Sequence, residues 1–404
     1  MPHPPLSEQG DPEEYDILAL NMINGKGYNL GGLSGNFAYY LKDRITDPTA
    51  RRVPLYPMMI AFIYLLIGRH FKAVFLTQAL IDTLTMYLIY LLAKKVFKDE
   101  KAGLISSILY LIYIPFLETC HVLMSENLYA FFLYAGLLLF ITGLENHQLK
   151  FICSAGIVFG LAHLTRPDIF YVMVLFLILL LYSFRKRINV GVKNAIFFSA
   201  VFLVIILPWI IRNYMTFNRI IITTTLEGEV LAWEYLSKFA VLGEDHEQNF
   251  DLSEKMNELD EVSRNDFLKK KAIDYYLENP VRWLKTLPIH ILNFWFGNIK
   301  GNINFLYYAT TGKHHAFSLS ALVQNIFLFV LTFFLFIKYF SKDWFIRVLP
   351  ILIVFLFFHF TETFKSPDQR HFIPLVPSLI VLGSYPLHKF YLWINGKKKS
   401  ENPN

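Results

Sequence analysis

The chain has 404 residues, of which 54% are hydrophobic and only 17% are charged. Several apolar runs exceed the roughly 20 residues that span a bilayer, so the composition excludes a soluble domain and predicts an all-α polytopic membrane protein. The net charge of +6 does not indicate nucleic acid binding, because the basic residues cluster in short loops between apolar runs. The two cysteines, Cys120 and Cys153, match neither a disulfide framework nor a metal-ligand spacing.

The chain opens with an acidic, helix-forming stretch at 11–28. Its apolar residues Tyr15, Leu18, Ala19 and Met22 recur at helical spacing. Asp11 occupies the position of an N-cap and Pro12 that of a first helical residue. Gly25 and Gly27 are typical of the end of such a helix. This pattern alone predicts a capped surface helix, and a functional role depends on what the rest of the chain places beside it.

The apolar runs predict nine spanning helices, at 71–93, 102–118, 122–144, 149–165, 168–184, 192–213, 316–338, 344–363 and 371–393. Basic clusters follow the first, fifth, seventh and ninth of these runs, and we expect all four clusters on the cytoplasmic side. The loops around 118–122, 166–168, 214–315 and 364–370 are then outside, together with everything before residue 71. The first predicted spanning helix follows some 70 residues of chain placed outside, so either this tail translocates behind the helix at 71 or an upstream helix precedes Met1.

Two apolar segments are too short for a comfortable span and are predicted to lie in the outer interface, namely Pro54–Gly68 and Leu287–Phe296. The outer segment 214–315 is β-prone at Ile220–Thr225 and amphipathic from Ser253 to Thr286, with a break at Asn279-Pro280. We therefore predict one membrane domain over 1–404: 1–70 outside with interfacial helices, 71–213 with six spanning helices, 214–315 as a modest outer loop segment, and 316–404 with three spanning helices and a cytoplasmic tail.

Unusual ionisable residues gather at the outer ends of these helices. They come from five or six separate segments: Arg51, Arg52, Glu126, Arg166, Asp168, Arg212, Asp368, Arg370 and His371. Arginine suits phosphate because its planar fork donates two parallel charge-assisted bonds, and a nearby carboxylate can accept the proton of a hydroxyl. The set indicates group transfer from an anionic lipid. Each arginine taken alone can equally be a snorkelling residue at a helix end.

Polar residues inside the predicted helices have simpler interpretations. Gln78 and Asp82 share a helix face, and an interhelical hydrogen bond is favoured there over a proton relay. His163 and His359 are interpreted as core histidines. No Gly-rich nucleotide-binding loop occurs, which fits a lipid donor rather than a nucleotide sugar.

Short motifs in a specific order carry a family resemblance. They are Asp11-Pro-Glu-Glu-Tyr15 with Gly25-Lys-Gly-Tyr28, Arg52-Val-Pro-Leu-Tyr-Pro57, Gln78 with Lys94-Lys-Val-Phe97, Ser125-Glu-Asn-Leu128, Leu164-Thr-Arg-Pro-Asp168, Pro208-Trp-Ile-Ile-Arg-Asn-Tyr214, Glu278-Asn-Pro280 and Arg370-His-Phe-Ile-Pro-Leu-Val-Pro377. By these motifs the chain resembles GT-C membrane glycosyltransferases, in the branch of protein O-mannosyltransferases and lipid A aminoarabinose transferases. The resemblance implies a GT-C-like helical bundle.

The resemblance also implies a reaction. Such enzymes transfer a sugar from a polyprenyl-phosphate donor to an acceptor hydroxyl of a lipid, glycan or protein, with inversion, at the outer face of the cell membrane. Asp11 matches the general base and Glu126 the second acidic position, while Arg52, Arg166 and Arg370 match positions assigned to the donor phosphate. We assign Tyr15, Asp168, Arg212 and His371 to the rest of the substrate.

No cofactor is required by the sequence, although a divalent metal is compatible with convergence of Asp11 and Glu126. Two departures from the family pattern stand out: the spanning helix before the catalytic loop is not in this sequence, and Glu14 replaces a basic residue of the aminoarabinose enzymes. The alternatives are a lipid or sugar transporter, disfavoured because no duplicated halves are visible, and an inactive scaffold of the cell envelope with the same fold.

Overall fold

The computed structural model describes residues 10–33, 46–232, 255, 258–296, 316–364 and 369–401. The helices, numbered here in chain order, are α1 (Asp11–Ile23), α2 (Leu55–Ile67), α3 (Phe71–Phe97), α4 (Glu100–Leu111), α5 (Ile114–Thr119), α6 (Glu126–Asn146), α7 (Leu149–Thr165), α8 (Ile169–Ser183), α9 (Ile188–Phe217), α10 (Glu261–Glu278), α11 (Pro280–Phe296), α12 (Ala316–Lys338), α13 (Lys342–Phe364) and α14 (Val376–Glu401). Short 3₁₀ helices precede α9 and α14, at Arg185–Arg187 and Gln369–Leu375.

These helices confirm the all-α, multi-pass membrane class over the described residues. In the described part of the chain, four segments are long and apolar enough to cross a membrane: Phe71–Phe97, Glu126–Asn146, Arg185–Phe217 and Trp344–Glu362. Shorter apolar helices accompany them, including α7 and α8. Each predicted spanning run contains helix, and α7 has the predicted bounds. The division of the chain into outer and spanning parts stays a prediction.

One predicted spanning helix is wrong in its continuity. The run at 102–118 is divided into α4 and α5, because Pro115 has no N–H to donate to the Leu111 carbonyl and its ring would clash with that carbonyl in a continuous helix. The break is stabilised from α12, where the Gln324 amide donates to the Ile112 carbonyl at 2.6 Å and accepts from the Ile114 N–H at 3.4 Å. Tyr113, at the break, donates to Asn325 Oδ1 at 2.8 Å. Two polar side chains of α12 therefore form hydrogen bonds with the polar groups at the break between α4 and α5.

Four other expectations need correction. The last predicted span begins as the 3₁₀ helix Gln369–Leu375 rather than as α-helix, and the third begins only at Glu126. The β-prone stretch Ile220–Thr225 forms no strand: the Ile221 carbonyl accepts from the Asn213 side chain at 3.0 Å, and the Thr225 N–H donates to the Ala50 carbonyl at 3.2 Å. The segment Leu287–Phe296 is the second half of α11, while the predicted break at Asn279-Pro280 is confirmed as the junction between α10 and α11.

Glycines allow close packing at the centre of the bundle. A Cβ added at Gly136 on α6 would lie 2.5 Å from the Phe159 ring on α7. Likewise, a Cβ at Gly160 on α7 would lie 2.7 Å from Ile205 on α9. Small residues at such contacts bring helix backbones together, which matters in lipid because association there depends on packing. α6, α7 and α9 thus form a tight central layer.

The 13-residue helix α2 packs against α1. It buries Tyr56, Ile60 and Tyr64 and leaves Phe62 and Leu65 exposed. At 1.5 Å per residue it is about 20 Å long, too short to cross the roughly 30 Å hydrocarbon core. Its apolar outer face fits the predicted interfacial position.

Candidate functional site

The carboxylates of α1 lie in its first turn. The helix begins after Gly10, whose φ of 97° is favourable only for glycine, so Gly10 and not Asp11 is the N-cap residue. Asp11 and Glu14 are one helical turn apart and share a face. The N-terminal end of a helix dipole favours negative charge, so this turn is a suitable place for both.

Two consecutive arginines of the loop before α2 meet these carboxylates. Arg51 Nε donates to Glu14 Oε1 at 2.8 Å, and Arg52 Nε donates to Glu14 Oε2 at 2.6 Å. Arg52 Nη2 also pairs with Asp11 Oδ1, and Arg51 Nη1 pairs with Glu229 Oε1 at 2.7 Å. The Glu14 side chain is 0% exposed. We call these five residues the arginine-pair cluster.

Both arginines stay protonated in this environment. Burial by itself would lower the pKa of Arg52, but the Asp11 and Glu14 carboxylates outweigh burial and raise it well above its ordinary value. Burial would likewise lower the pKa of Arg51, and Glu14 and Glu229 raise it instead. The cluster therefore holds two charged guanidinium groups against three carboxylates, and an anionic ligand can bind a guanidinium there by replacing one of the carboxylates.

A second ionic group, the corner cluster, joins the start of α6 to the end of α7. Arg166 Nη1 donates to Glu126 Oε1 at 2.9 Å, and Arg166 Nε lies 3.6 Å from Asp168 Oδ2. Burial would lower the pKa of Arg166, but Glu126 and then Asp168 raise it. The second oxygen of Glu126 is buried with no hydrogen-bond partner among the described residues.

Tyr15 connects the two clusters. Its ring lies 5.1 Å from the Arg52 guanidinium, and its hydroxyl donates to Ser125 Oγ at 3.2 Å, directly before Glu126. Burial raises the pKa of Tyr15, Arg52 lowers it in part, and the charges of Asp11 and Glu126 raise it further. The phenol is therefore a neutral hydrogen-bond donor between two carboxylates. Six predicted site residues thus come together: Asp11, Tyr15, Arg52, Glu126, Arg166 and Asp168.

The chain after α9 forms hydrogen bonds with the loop that carries Arg51 and Arg52. Glu261 on α10 accepts from the Ala50 N–H at 2.7 Å and also from the Thr225 hydroxyl. The Thr225 N–H donates to the Ala50 carbonyl at 3.2 Å. The outer segment and the arginine loop are therefore one packed unit, with Glu229 in the cluster itself.

Arg212 lies beside this site rather than in it. Its Nη1 donates to the Thr49 carbonyl at 2.8 Å, and its guanidinium stands 5.1 Å from the Trp209 ring and 5.4 Å from Tyr28. The Tyr28 hydroxyl in turn donates to the Arg52 carbonyl at 2.9 Å. These contacts support the backbone of the arginine loop, and the assignment of Arg212 to substrate stays a prediction.

The two remaining predicted residues, Arg370 and His371, lie in the 3₁₀ helix before α14. Their side chains are outside the described residues, as is Asp368. The segment is held by the Tyr134 hydroxyl, which donates to the Pro374 carbonyl at 2.8 Å. Their roles stay predictions.

Three cluster members escaped the site prediction. The sequence places Arg51 among the gathered ionisable residues but assigns it no role, marks Glu14 only as a departure from a family pattern, and does not single out Glu229. The i, i+3 spacing of Asp11 and Glu14 was the available signal. Glu229 carried none, because its approach depends on how the outer segment folds back.

No metal site is evident in the described part of the chain, where no three His, Cys, Asp or Glu side chains group as ligands. Asp11 and Glu126 both face arginines. The divalent metal stays an untested option.

The model of the dolichyl-phosphate-mannose-protein mannosyltransferase family matches residues 49–211. This match confirms the resemblance seen in the motifs over a stretch that includes Arg52, Glu126 and Arg166. The crystal structure of ArnT from Cupriavidus metallidurans bound to undecaprenyl phosphate is similar at a TM-score of 0.41 and 14% identity, covering 93% of this chain and 73% of that one. The apo state of the same protein gives 0.40 and 13%, covering 93% and 72%. No curated protein sequence matches the chain.

Proposed function

We propose that the protein transfers a sugar from a polyprenyl-phosphate donor to an acceptor hydroxyl. The observation that carries the proposal is the Arg52 guanidinium, which is held between Asp11 and Glu14 and is connected through Tyr15 to Glu126 and Arg166. Arg52 and both members of the Glu126–Arg166 pair lie in the stretch matched by a family of glycosyltransferases whose donor is a lipid-linked sugar.

The arginines suit the leaving group. As the bond from the anomeric carbon to the phosphate oxygen breaks, negative charge develops on the phosphate, and fixed guanidinium groups stabilise that charge. Arg52 and Arg166 reach this region from separate loops. Both guanidinium groups are already paired with carboxylates, so a donor phosphate would have to displace a carboxylate in order to bind them.

Asp11 is the proposed base. In the free protein its Oδ1 is engaged by Arg52. A donor phosphate on Arg52 would compete for that guanidinium and free Asp11 to accept the acceptor's hydroxyl proton. The acceptor oxygen then bonds to the anomeric carbon from the side opposite the phosphate, the polyprenyl phosphate leaves, and the configuration is inverted. Tyr15 would donate a hydrogen bond to the substrate.

We place the reaction on the outer face, as the distribution of basic loops predicts. An inactive scaffold of the same fold is the second candidate. The observation that favours it is the complete pairing of Arg52 with two carboxylates, which leaves the guanidinium occupied without substrate.

The test uses the full chain in lipid nanodiscs with radiolabelled polyprenyl-phosphate sugars and membrane extract as the source of acceptors. We expect Asp11→Asn to lower transfer about 10²–10⁴-fold, the usual contribution of general base catalysis. The matched control is Asp47→Asn, since Asp47 is an exposed carboxylate of the neighbouring loop. Absence of transfer with every donor would favour the scaffold, and full activity of Asp11→Asn would overturn the role of Asp11.

A second measurement tests Arg52 directly. Binding of the polyprenyl-phosphate donor should weaken about tenfold or more in Arg52→Gln, because a charge-assisted contact with phosphate is lost. Arg219→Gln is the control, since Arg219 is half exposed and its nearest carboxylate is 3.3 Å away on the surface. Unchanged donor binding in Arg52→Gln would refute this assignment.

A further inference from the structure

A cleft lies at the other end of the bundle from the arginine-pair cluster. Tyr15, whose ring lies against Arg52 of that cluster, belongs to one hydrophobic group with Val74 near the start of α3. The cleft opens where α3 ends, at Phe97 and Lys98. The 27 residues of α3 are about 40 Å of helix. The cleft has a volume of about 460 Å³. Its lining residues are Phe97, Lys98, Tyr339, Ser341, Trp344, Arg347 and Tyr385.

Arg347 supplies a largely buried positive charge to the cleft and keeps an N–H group available to donate a hydrogen bond. Its side chain is 13% exposed. Its Nε donates to the Val96 carbonyl at 2.6 Å, and its Nη1 lies 3.5 Å from Glu145 Oε1. Glu145 is engaged more closely by Lys95, at 2.6 Å. Among the described residues the Nη2 group of Arg347 has no hydrogen-bond partner, so the guanidinium can still donate into the cleft.

Lys98 supplies a second charge. It ends α3 in the left-handed region, with φ 53°, and is exposed. No carboxylate of the described residues pairs with it. The nearest acidic side chain in sequence, Asp99, is turned away, because it accepts from backbone N–H groups of α4 and contacts His388 Nδ1 at 2.8 Å.

Two further lysines strengthen the positive field. The Lys338 ammonium lies 5.7 Å from the Tyr339 ring and the Lys389 ammonium lies 4.9 Å from the Tyr385 ring, and both tyrosines line the cleft. Because Glu145 and Asp99 are already occupied by other partners, the described charged side chains around the cleft leave a positive balance. Such a surface favours an anion.

The remaining walls are aromatic. Tyr385 stacks on Phe97 at 4.8 Å, and the Trp344 indole N–H donates to the Tyr339 carbonyl at 3.1 Å. Tyrosine and tryptophan concentrate at the level of lipid headgroups, where one end of the side chain is apolar and the other is wet. Helices α3, α13 and α14, which form the cleft, are apolar and leave large hydrophobic side chains exposed along their length.

We propose that this cleft binds a phosphate-bearing anion, with Arg347 and Lys98 on the phosphate and the aromatic walls beside the rest of the ligand. The same chemistry serves an anionic lipid headgroup or free phosphate. The site is separate from the proposed sugar transfer and does not depend on it.

The experiment measures binding of phosphatidylglycerol, phosphatidylcholine and inorganic phosphate to the purified full chain in detergent, by native mass spectrometry and by competition. We expect the parent to retain phosphatidylglycerol over phosphatidylcholine. We also expect Lys98→Asn and Arg347→Gln each to weaken its binding about tenfold, as the loss of one charge-assisted contact predicts. Asparagine tolerates the left-handed conformation, so Lys98→Asn removes the charge without strain.

The matched control is Lys94→Gln. Lys94 is one turn before Lys98, pairs with exposed Glu100 at 2.9 Å and does not line the cleft. Displacement of phosphatidylglycerol by phosphate identifies a site that takes either source, and phosphatidylglycerol binding without displacement identifies a headgroup site. Equal binding of both probes to the parent, Lys98→Asn and Arg347→Gln would overturn the proposal, as would equal weakening by Lys94→Gln.

Discussion

The two ends of the bundle hold their charges in different ways. At the α1 end, Arg51 and Arg52 share the fully buried Glu14, and the contacts are 2.6–2.8 Å. At the other end, Lys95 and Arg347 share Glu145, whose side chain is 23% exposed, and Arg347 stands 3.5 Å away. Desolvated pairs are costly to break, whereas partly solvated pairs contribute little. We therefore expect one end to be sensitive to single substitutions and the other to be tolerant.

The largest effect is expected at Glu14. Glu14→Gln leaves Arg51 and Arg52 with one less carboxylate in a buried site, which should lower the free energy of unfolding by about 4 kcal/mol. The measurement is SDS titration in mixed micelles. Glu100→Gln is the control, because Glu100 pairs with Lys94 on an exposed surface and its loss should change little. If Glu14→Gln lowered the free energy of unfolding only slightly, the two ends would not differ in their sensitivity to substitution.

The corner cluster gives the next effect. Arg166→Met leaves Glu126 buried beside no guanidinium and should cost about 3 kcal/mol of unfolding free energy. The double variant Arg166→Met/Glu126→Leu removes both charges and should recover most of that stability. Sugar transfer should stay low in both variants. Recovered transfer in the double variant would show that the pair is structural only.

A smaller effect is expected at Asp99, near the cleft. Asp99→Ala removes the N-cap of α4 and should cost about 1 kcal/mol, while Asp99→Asn keeps a capping oxygen and should cost less. Burial would raise the pKa of Asp99, but the Ala102 N–H and His388 outweigh it and lower the pKa. Because the pKa of Asp99 is lower in the folded protein, its carboxylate contributes fully to stability at any pH above its pKa in the unfolded chain, about 3.9. That contribution is lost only as the pH falls below this value.

The lowered pKa of Asp99 can be checked by measuring stability as a function of pH. The difference in unfolding free energy between the parent and Asp99→Ala should be constant at neutral pH and should shrink in acid. A difference that already declines at neutral pH would contradict this account of Asp99.

The smallest effect on stability is expected at Glu145. Glu145→Gln removes a partly solvated partner of Lys95 and Arg347 and should cost about 0.5 kcal/mol. It should also tighten phosphatidylglycerol binding a few-fold, because Arg347 loses a competing carboxylate. Weaker phosphatidylglycerol binding would mean that Glu145 orients Arg347 rather than competing for it.

Much of the helical architecture was predictable, because the period and length of apolar runs report helices directly. The same reasoning failed at 102–118, where Pro115 breaks the run and Gln324 of a distant helix stabilises the break. It also predicted that Asp11, Arg52, Glu126 and Arg166 would share one end. Positive-inside topology and family motifs supplied that prediction, and neither specifies which charges pair.

The sequence by itself determined the class of the molecule, the positions of the helices and the collection of arginines and carboxylates at one end. Only the tertiary structure decided that Glu14 is the shared partner of Arg51 and Arg52, that Glu229 completes the cluster, and that Tyr15 joins it to Ser125. It alone brought Arg347 and Lys98 to one cleft. The physical reason is that helix periodicity is local, whereas ion pairing depends on where loops far apart in sequence fold back.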